Sequence, residues 1–263
     1  METVGSDGEK MSSKCGYEER VIAFLDILGF KKIIEETETE TKKFEDLLDV
    51  LKRIKEGVEQ LKTGKYNPTD IRMSTFSDSI IISAKITEHM DAFVQQLLMT
   101  NIWLLEQGCF VRGGVDYGKV YHNENMIFGP AFIKAYELEK SADYPRILFS
   151  KEAIKKLHHN KQPNSKIAVS ITHSYFKRDC DGLCYLDYFN YANNAEEGYA
   201  KFICNLEKMM DKNIASNLDD VGVIKKMDWI KNKIQLCNKN QEQKQNLTLD
   251  DFIENFMDCV EYT

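Results

Sequence analysis

The apolar positions of the chain fall into short continuous runs and longer stretches at helical spacing. The first run, Val21 to Phe30 (VIAFLDILGF), is rich in Val, Ile, Phe and Leu and predicts a strand buried on both faces. Its one carboxylate, Asp26, is costly in that setting unless something offsets it. Two readings stay open: a cap for the strand-end turn or for the helix beginning near Lys31, or a ligand to a metal ion. From Lys31 to about Leu61 the spacing of Ile33, Ile34, Phe44, Leu47, Leu48, Leu51, Ile54, Val58 and Leu61 predicts helix, and the polar interval from Glu35 to Lys43 divides it into two. After a turn at Asn67-Pro68, IRMSTFSDSIIISAKI (Ile71 to Ile86) predicts two strands folded about Ser77-Asp78-Ser79.

A helix is expected from Met90 to Glu106, and a strand from Cys109 to Asn123 that forms a hairpin with Met126 to Gly129. Further helices follow from Gly129 to Lys140 and from about Glu152, with a short strand from Arg146 to Ser150 between them and a last one near Gly182 to Leu186. This order predicts an α+β fold, a mostly antiparallel sheet covered by helices on one side. Beyond residue 194 the pattern is helical (Ala195 to Ile214, Leu218 to Leu236, Leu249 to Cys259), with Asn238 to Asn246 as a solvated linker. The expected organisation is a disordered lead-in over 1–19, one domain over 20–190 and a helical C-terminal extension over 191–263.

A net charge of −7 and a pI near 5.4 argue against a protein built to grip nucleic acid. Without an apolar run of membrane length or a secretory leader, the chain is expected to be cytoplasmic and not to engage a membrane. The seven cysteines are odd in number and never spaced as CxxC, so neither a disulfide framework nor a zinc site is expected, Cys180 and Cys184 included. His122, His158 and His159 also lack metal-like spacing and read as surface residues. Gly113-Gly114 reads as a place where the strand bends or another backbone approaches, since no phosphate-loop pattern follows.

Asp78 changes the reading of Asp26. It sits at a hairpin tip and, unless it is only a turn former, projects from the same kind of strand end. Two such carboxylates suit Mg²⁺ or Mn²⁺, which take few protein ligands and complete their shell with water and phosphate oxygens. The Ile27 carbonyl could add a ligand, and the backbone at Gly29 and Phe30, opening a helix, could bind a phosphate.

With these pieces in place the chain resembles the catalytic domain of class III nucleotidyl cyclases over roughly residues 20–187. AFLDILGF is similar to their first metal motif, FSDSIIIS to their second metal hairpin, and VRGGVDYGKV to their Arg-x-Gly strand; IFGPAFIKAYELEKSADYPRILFS is similar to the interface helix and following strand. The resemblance implies a ferredoxin-like palm, a homodimer with the site at its interface, a nucleoside triphosphate substrate and two Mg²⁺ or Mn²⁺ ions on Asp26, Ile27 and Asp78. It also marks departures. Ile133 and Glu137 stand where the family carries its transition-state Asn and Arg, and Ser74 and Met126 where it reads a purine. The style of the motifs is similar to bacterial pyrimidine cyclases of anti-phage defence, which implies a cyclic UMP or CMP product. The alternative is an inactive cyclase-homology module that binds nucleotide and dimerises. In the first reading Arg112 replaces the missing charge, with Lys31 or Lys32 next, and Ser74 and Met126 line the base pocket; whether Arg112 serves its own chain or a partner stays open. Tyr136 is a candidate interface residue, and Tyr144-Pro145-Arg146 a helix-to-strand joint.

Overall fold

The computed structural model describes residues 16–63, 70–85, 90–159, 175–189 and 196–243. In chain order these form β1 (Glu18–Ile27), α1 (Phe30–Thr39), α2 (Thr41–Thr63), β2 (Ile71–Phe76), β3 (Ser79–Lys85), α3 (Met90–Glu106), β4 (Val111–His122) and β5 (Ile127–Phe128). There follow α4 (Pro130–Ser141), β6 (Ile147–Phe149), α5 (Lys151–His159), β7 (Phe176–Arg178), β8 (Cys184–Leu186), α6 (Glu196–Ser216) and α7 (Val221–Gln243). The strands lie in the order β2-β3-β1-β4-β6-β8-β7, with β5 turned back on β4. Every pairing is antiparallel except β4 with β6. The expected α+β sheet with helical cover and C-terminal helices is therefore what the chain forms, except that helices lie on both of its faces, α4 packing on the one opposite the main core.

Side-chain alternation gives the central strand two different faces. Val21, Ala23, Leu25 and Ile27 enter the main core, together with Leu47, Ile54, Phe93, Leu97 and Ile154 of α2, α3 and α5. Leu206, Met210, Trp229 and Ile230 of α6 and α7 belong to the same core. Arg20, Ile22, Phe24 and Asp26 lie on the opposite face, where a small cluster of Ile22, Phe24, Ile81, Val120, Ala131 and Ala135 is covered by α4 and the β4–β5 arm. The cover is partial. Phe76, Met126, Phe128, Ile133 and Tyr136, all of this face or the elements on it, remain exposed. Gly114 lets α4 lie on β4: a Cβ there would come within 2.2 Å of the Ala135 carbonyl oxygen.

The sequence-based boundaries hold with a few differences. Strand β1 begins at Glu18, inside the expected lead-in, because Glu18 and Glu19 pair with β4. The break between α1 and α2 falls at Glu40 alone. The three-residue β7 had no sequence signal of its own, and α7 continues to Gln243 through much of the expected linker. The Asn67-Pro68 turn and the Leu249 to Cys259 pattern lie outside the described residues, as do the side chains of His158 and His159.

The C-terminal helices are fastened by a buried carboxylate. Asp179 accepts hydrogen bonds from Arg146 Nη1 (2.5 Å), Trp229 Nε1 (2.7 Å) and Lys233 Nζ (2.7 Å). Tyr144 stacks on Trp229 at 5.6 Å, so the joint before β6 is also where α7 docks. Removing one partner of such a buried group strands the others. Asp179→Ala is expected to cost roughly 3–5 kcal/mol in urea unfolding, and loss of the α7 helical signal with the rest of the protein in one transition would show that α7 belongs to the same cooperative unit.

Candidate active site

Asp26 stands one residue before the end of β1, opposite Ser79 of β3 and Arg112 of β4. The Ile27 N–H donates to the Asp78 carbonyl at 2.9 Å, and the Leu28 N–H to the Phe110 carbonyl at 2.8 Å, which holds the strand end between its neighbours. Ser77, with φ of 54° in the left-handed region, makes the tight turn that carries Asp78 beside this end. Asp78 is half-buried, and its charge is felt by Asp26. The two predicted carboxylates are therefore neighbours in one structure.

Arg112 joins them from the same chain. Its Nη2 lies 3.6 Å from Asp26 Oδ2, and its Nε donates to Glu139 Oε1 at 2.5 Å. Glu139 projects from α4 and is buried. Sequence reasoning did not single it out. Its signal was present in the spacing: Ala131, Ala135 and Glu139 recur every fourth residue and form the buried stripe of α4, so the glutamate occupies a place meant for a small apolar side chain.

Asp26 and Glu139 share one guanidinium, and the charge of Asp78 adds to that of Asp26, so negative charge is in excess. Burial, then the charge of Glu139, pushes Asp26 up to about 6; Arg112 opposes this and Asp78 adds to it. Such a group favours a cation. Among the described residues no group of three or more His, Cys, Asp or Glu side chains is arranged to hold a metal ion. The donors fit a hard ion that takes two carboxylates and draws its remaining oxygens from backbone, water and substrate.

Beside this centre, α1 starts at Phe30 after Gly29, whose φ of 73° is left-handed and which gives no side-chain cap. The first N–H groups of α1 thus lack a capping side chain, the arrangement that suits an anion. Lys31 is exposed and 3.8 Å from Glu35. Lys32 lines a cleft of about 280 Å³ with Lys43, Met209 and Lys212, a lining that does not include Asp26, Asp78 or Arg112. Ile133 and Glu137 are exposed on α4.

Ser74 lies on the Asp26 face of β2, and its Oγ is 2.9 Å from His122 Nε2. Arg72 donates to the His122 carbonyl, and the turn from Asn123 to Met126 follows directly, so Ser74 and the exposed Met126 stand at one edge of this face. His122 is a correction to the sequence reading: it is buried, because the β4–β5 arm folds over the sheet and sets it between Ser74 and Ser83. Burial, then the charges of Arg20 and Arg72, pulls His122 down to about 4, so it is neutral at physiological pH.

No family model and no curated protein matches the chain. Among solved structures it is similar to the catalytic core of a rhodopsin-guanylyl cyclase with converted specificity in complex with ATPαS, at a TM-score of 0.41 and 15% identity over 54% of this chain and 81% of that one. It is also similar to a bacterial light-regulated adenylyl cyclase, at 0.38 and 18% identity over 54% and 80% of the two chains. A third likeness is to a class III adenylyl cyclase-like ATP-binding protein from Pseudomonas aeruginosa, at 0.41 and 12% identity over 69% and 40%. These scores are low, and the chemistry of the site is read from its own residues.

The raised Asp26 has a measurable consequence for the cation-free protein. The folded state holds this proton to higher pH than the unfolded chain does, so stability falls as pH rises from about 4 through about 6. Asp26→Asn is therefore expected to raise stability by about 1–2 kcal/mol at pH 7.5 and to make little difference near pH 4. Urea unfolding at both values with chelator present checks this; a destabilised variant at pH 7.5 would show that Asp26 is a structural ion pair.

Proposed function

We propose that this protein is a metal-dependent nucleotidyl cyclase, working as a homodimer, that converts a pyrimidine nucleoside triphosphate into the 3′,5′-cyclic monophosphate and pyrophosphate, possessing the kind of activity that could serve as an anti-phage signal. The observation that carries this reading is the under-compensated Asp26 carboxylate beside Asp78. Asp26, Asp78 and the Ile27 carbonyl would hold Mg²⁺ or Mn²⁺. When bound, these ions acidify the ribose 3′-hydroxyl and offset charge on the phosphates.

The protein's own groups bind and orient. The 3′-oxygen attacks the α-phosphorus, the bond from that phosphorus to the pyrophosphate oxygen breaks, and the hydroxyl proton leaves to water. Arg112 is anchored through Nε by Glu139, which aims the rest of its guanidinium at the carboxylate end of the sheet as the positive partner for phosphate oxygens. Such positioned charges contribute about 10²- to 10³-fold in rate. Gly29 and Phe30 offer backbone N–H groups to a phosphate, and Ser74 and Met126 line the base pocket. The exposed apolar side chains Phe76, Met126, Phe128, Ile133 and Tyr136 support a second copy of the chain packing on this face.

A second reading is favoured by Ile133 and Glu137, which bring no cation: a nucleotide-binding, dimer-forming module without turnover. Incubation with each of the four nucleoside triphosphates and Mn²⁺ separates the two. Cyclic product, greatest from UTP or CTP, is expected; tight binding with no product from any substrate supports the module. Asp78→Ala is expected to abolish product while leaving the fold intact or slightly more stable, since it relieves repulsion with Asp26. A fall in thermal stability equal to the loss of activity would make Asp78 a turn residue only.

Because Arg112 reaches Asp26 in the same chain, mixing Asp78→Ala with Arg112→Lys, each inactive alone, is expected to restore nothing. Recovery toward one intact site of the two in each mixed dimer would place the two residues on opposite sides of a symmetric interface.

A further inference from the structure

The polar chain behind Ser74 sets the direction of its hydroxyl. Arg20 is fully buried, and its Nε can only donate; it does so to Ser83 Oγ at 2.9 Å. Ser83 Oγ also lies 2.8 Å from His122 Nδ1. A neutral imidazole carries one N–H. If that proton were on Nδ1, Ser83 would accept twice and its own proton would be left over in a buried place. The arrangement that uses every group has the Ser83 hydroxyl donating to Nδ1 and the Nε2–H donating to Ser74 Oγ. Ser74 is then an acceptor from His122. Its own proton has no acceptor among the described residues and is free to point out of the sheet.

The position of Ser74 gives that proton a use. Asp26 pairs with Ser79, and Ser79 with Phe76; Ser74 is two residues back along the same edge strand, on the same face. The offset is about 7 Å along the strand and about 10 Å across two strand spacings. That is the scale separating the phosphates of an extended nucleotide from its base.

Resting on the cyclase reading above, we infer that His122 is a positioning residue that fixes Ser74 as a hydrogen-bond donor, so that the site selects a base edge presenting a carbonyl or ring-nitrogen acceptor and disfavours an amino group at that point. The small Ser74 side chain ends close to the sheet, which leaves depth for the base but supplies one directional contact. The contribution is to discrimination between substrates, with no part in bond making.

Equilibrium binding of the four 3′-deoxynucleoside triphosphates, which cannot cyclise, tests this in the presence of Mn²⁺ without requiring turnover. Ser74→Ala is expected to weaken the preferred nucleotide about 10-fold and the others little, narrowing the affinity ratio. Ser74→Thr, which keeps the hydroxyl, should retain the ratio. His122→Asn should narrow the ratio as Ser74→Ala does, and on the Ser74→Ala background it should change the ratio no further. A purely structural His122 would lower thermal stability and shift all four affinities equally. Unchanged ratios in Ser74→Ala, with binding still lost in Asp78→Ala, would overturn the inference and leave the cyclase reading standing. Absence of binding to any of the four in the native protein would overturn both.

Discussion

The bridge from Glu139 through Arg112 to Asp26 is the interaction on which the arrangement of the site depends. It ties three elements, α4, β4 and β1, at one end of the sheet. Each member explains another. Glu139 is tolerated inside α4 because Arg112 meets it, and Arg112 is held at the sheet's end because Glu139 fixes its Nε. Asp26 lies 3.6 Å from the guanidinium and shares it with a nearer competitor, so its charge is only partly answered. Gly114 sits under this bridge: without a side chain there, α4 can lie low enough on β4 for Glu139 to reach Arg112.

The unequal faces of β1 divide stability from chemistry. One face is dry and shared by helices from both ends of the chain. The other carries Arg20, Asp26, Ser74, His122 and Glu139, polar groups whose partners include Ser83 and Arg112. Burial of such groups stabilises little by itself but fixes directions strongly, because each misplacement leaves a donor or acceptor unpaired. A face of this kind orients ligands better than it holds a fold together, and the dry face supplies the rigidity it needs.

Much of this was legible in the sequence. Asp26 was visible as one carboxylate in an apolar run, and Asp78 as the tip of a hairpin with β-rich arms; the strand signals that bracket them are local, and local patterns predict local structure. Glu139 was not singled out, and His122 was wrongly read as a surface residue, because their meaning depends on contacts across 27 residues to Arg112 and 48 residues to Ser74. No window along the chain contains both partners. Arg112 was read as a candidate cation, yet its attachment to Glu139 required the close approach of α4 that Gly113-Gly114 only hinted at. Strand β7 was missed for a different reason: three residues carry too little periodicity, and the strand exists because β8 supplies its partner.

The docking of α7 through Asp179 bears on how far the chain could be shortened. Arg146 precedes β6, Asp179 follows β7, and Trp229 and Lys233 come from a helix some fifty residues further on. A shortened chain ending after β8 would keep the anion and the arginine but lose the indole and the ammonium that close over them, opening the outer end of the sheet to water. The sheet and the helix α7 are therefore closed by one shared buried group.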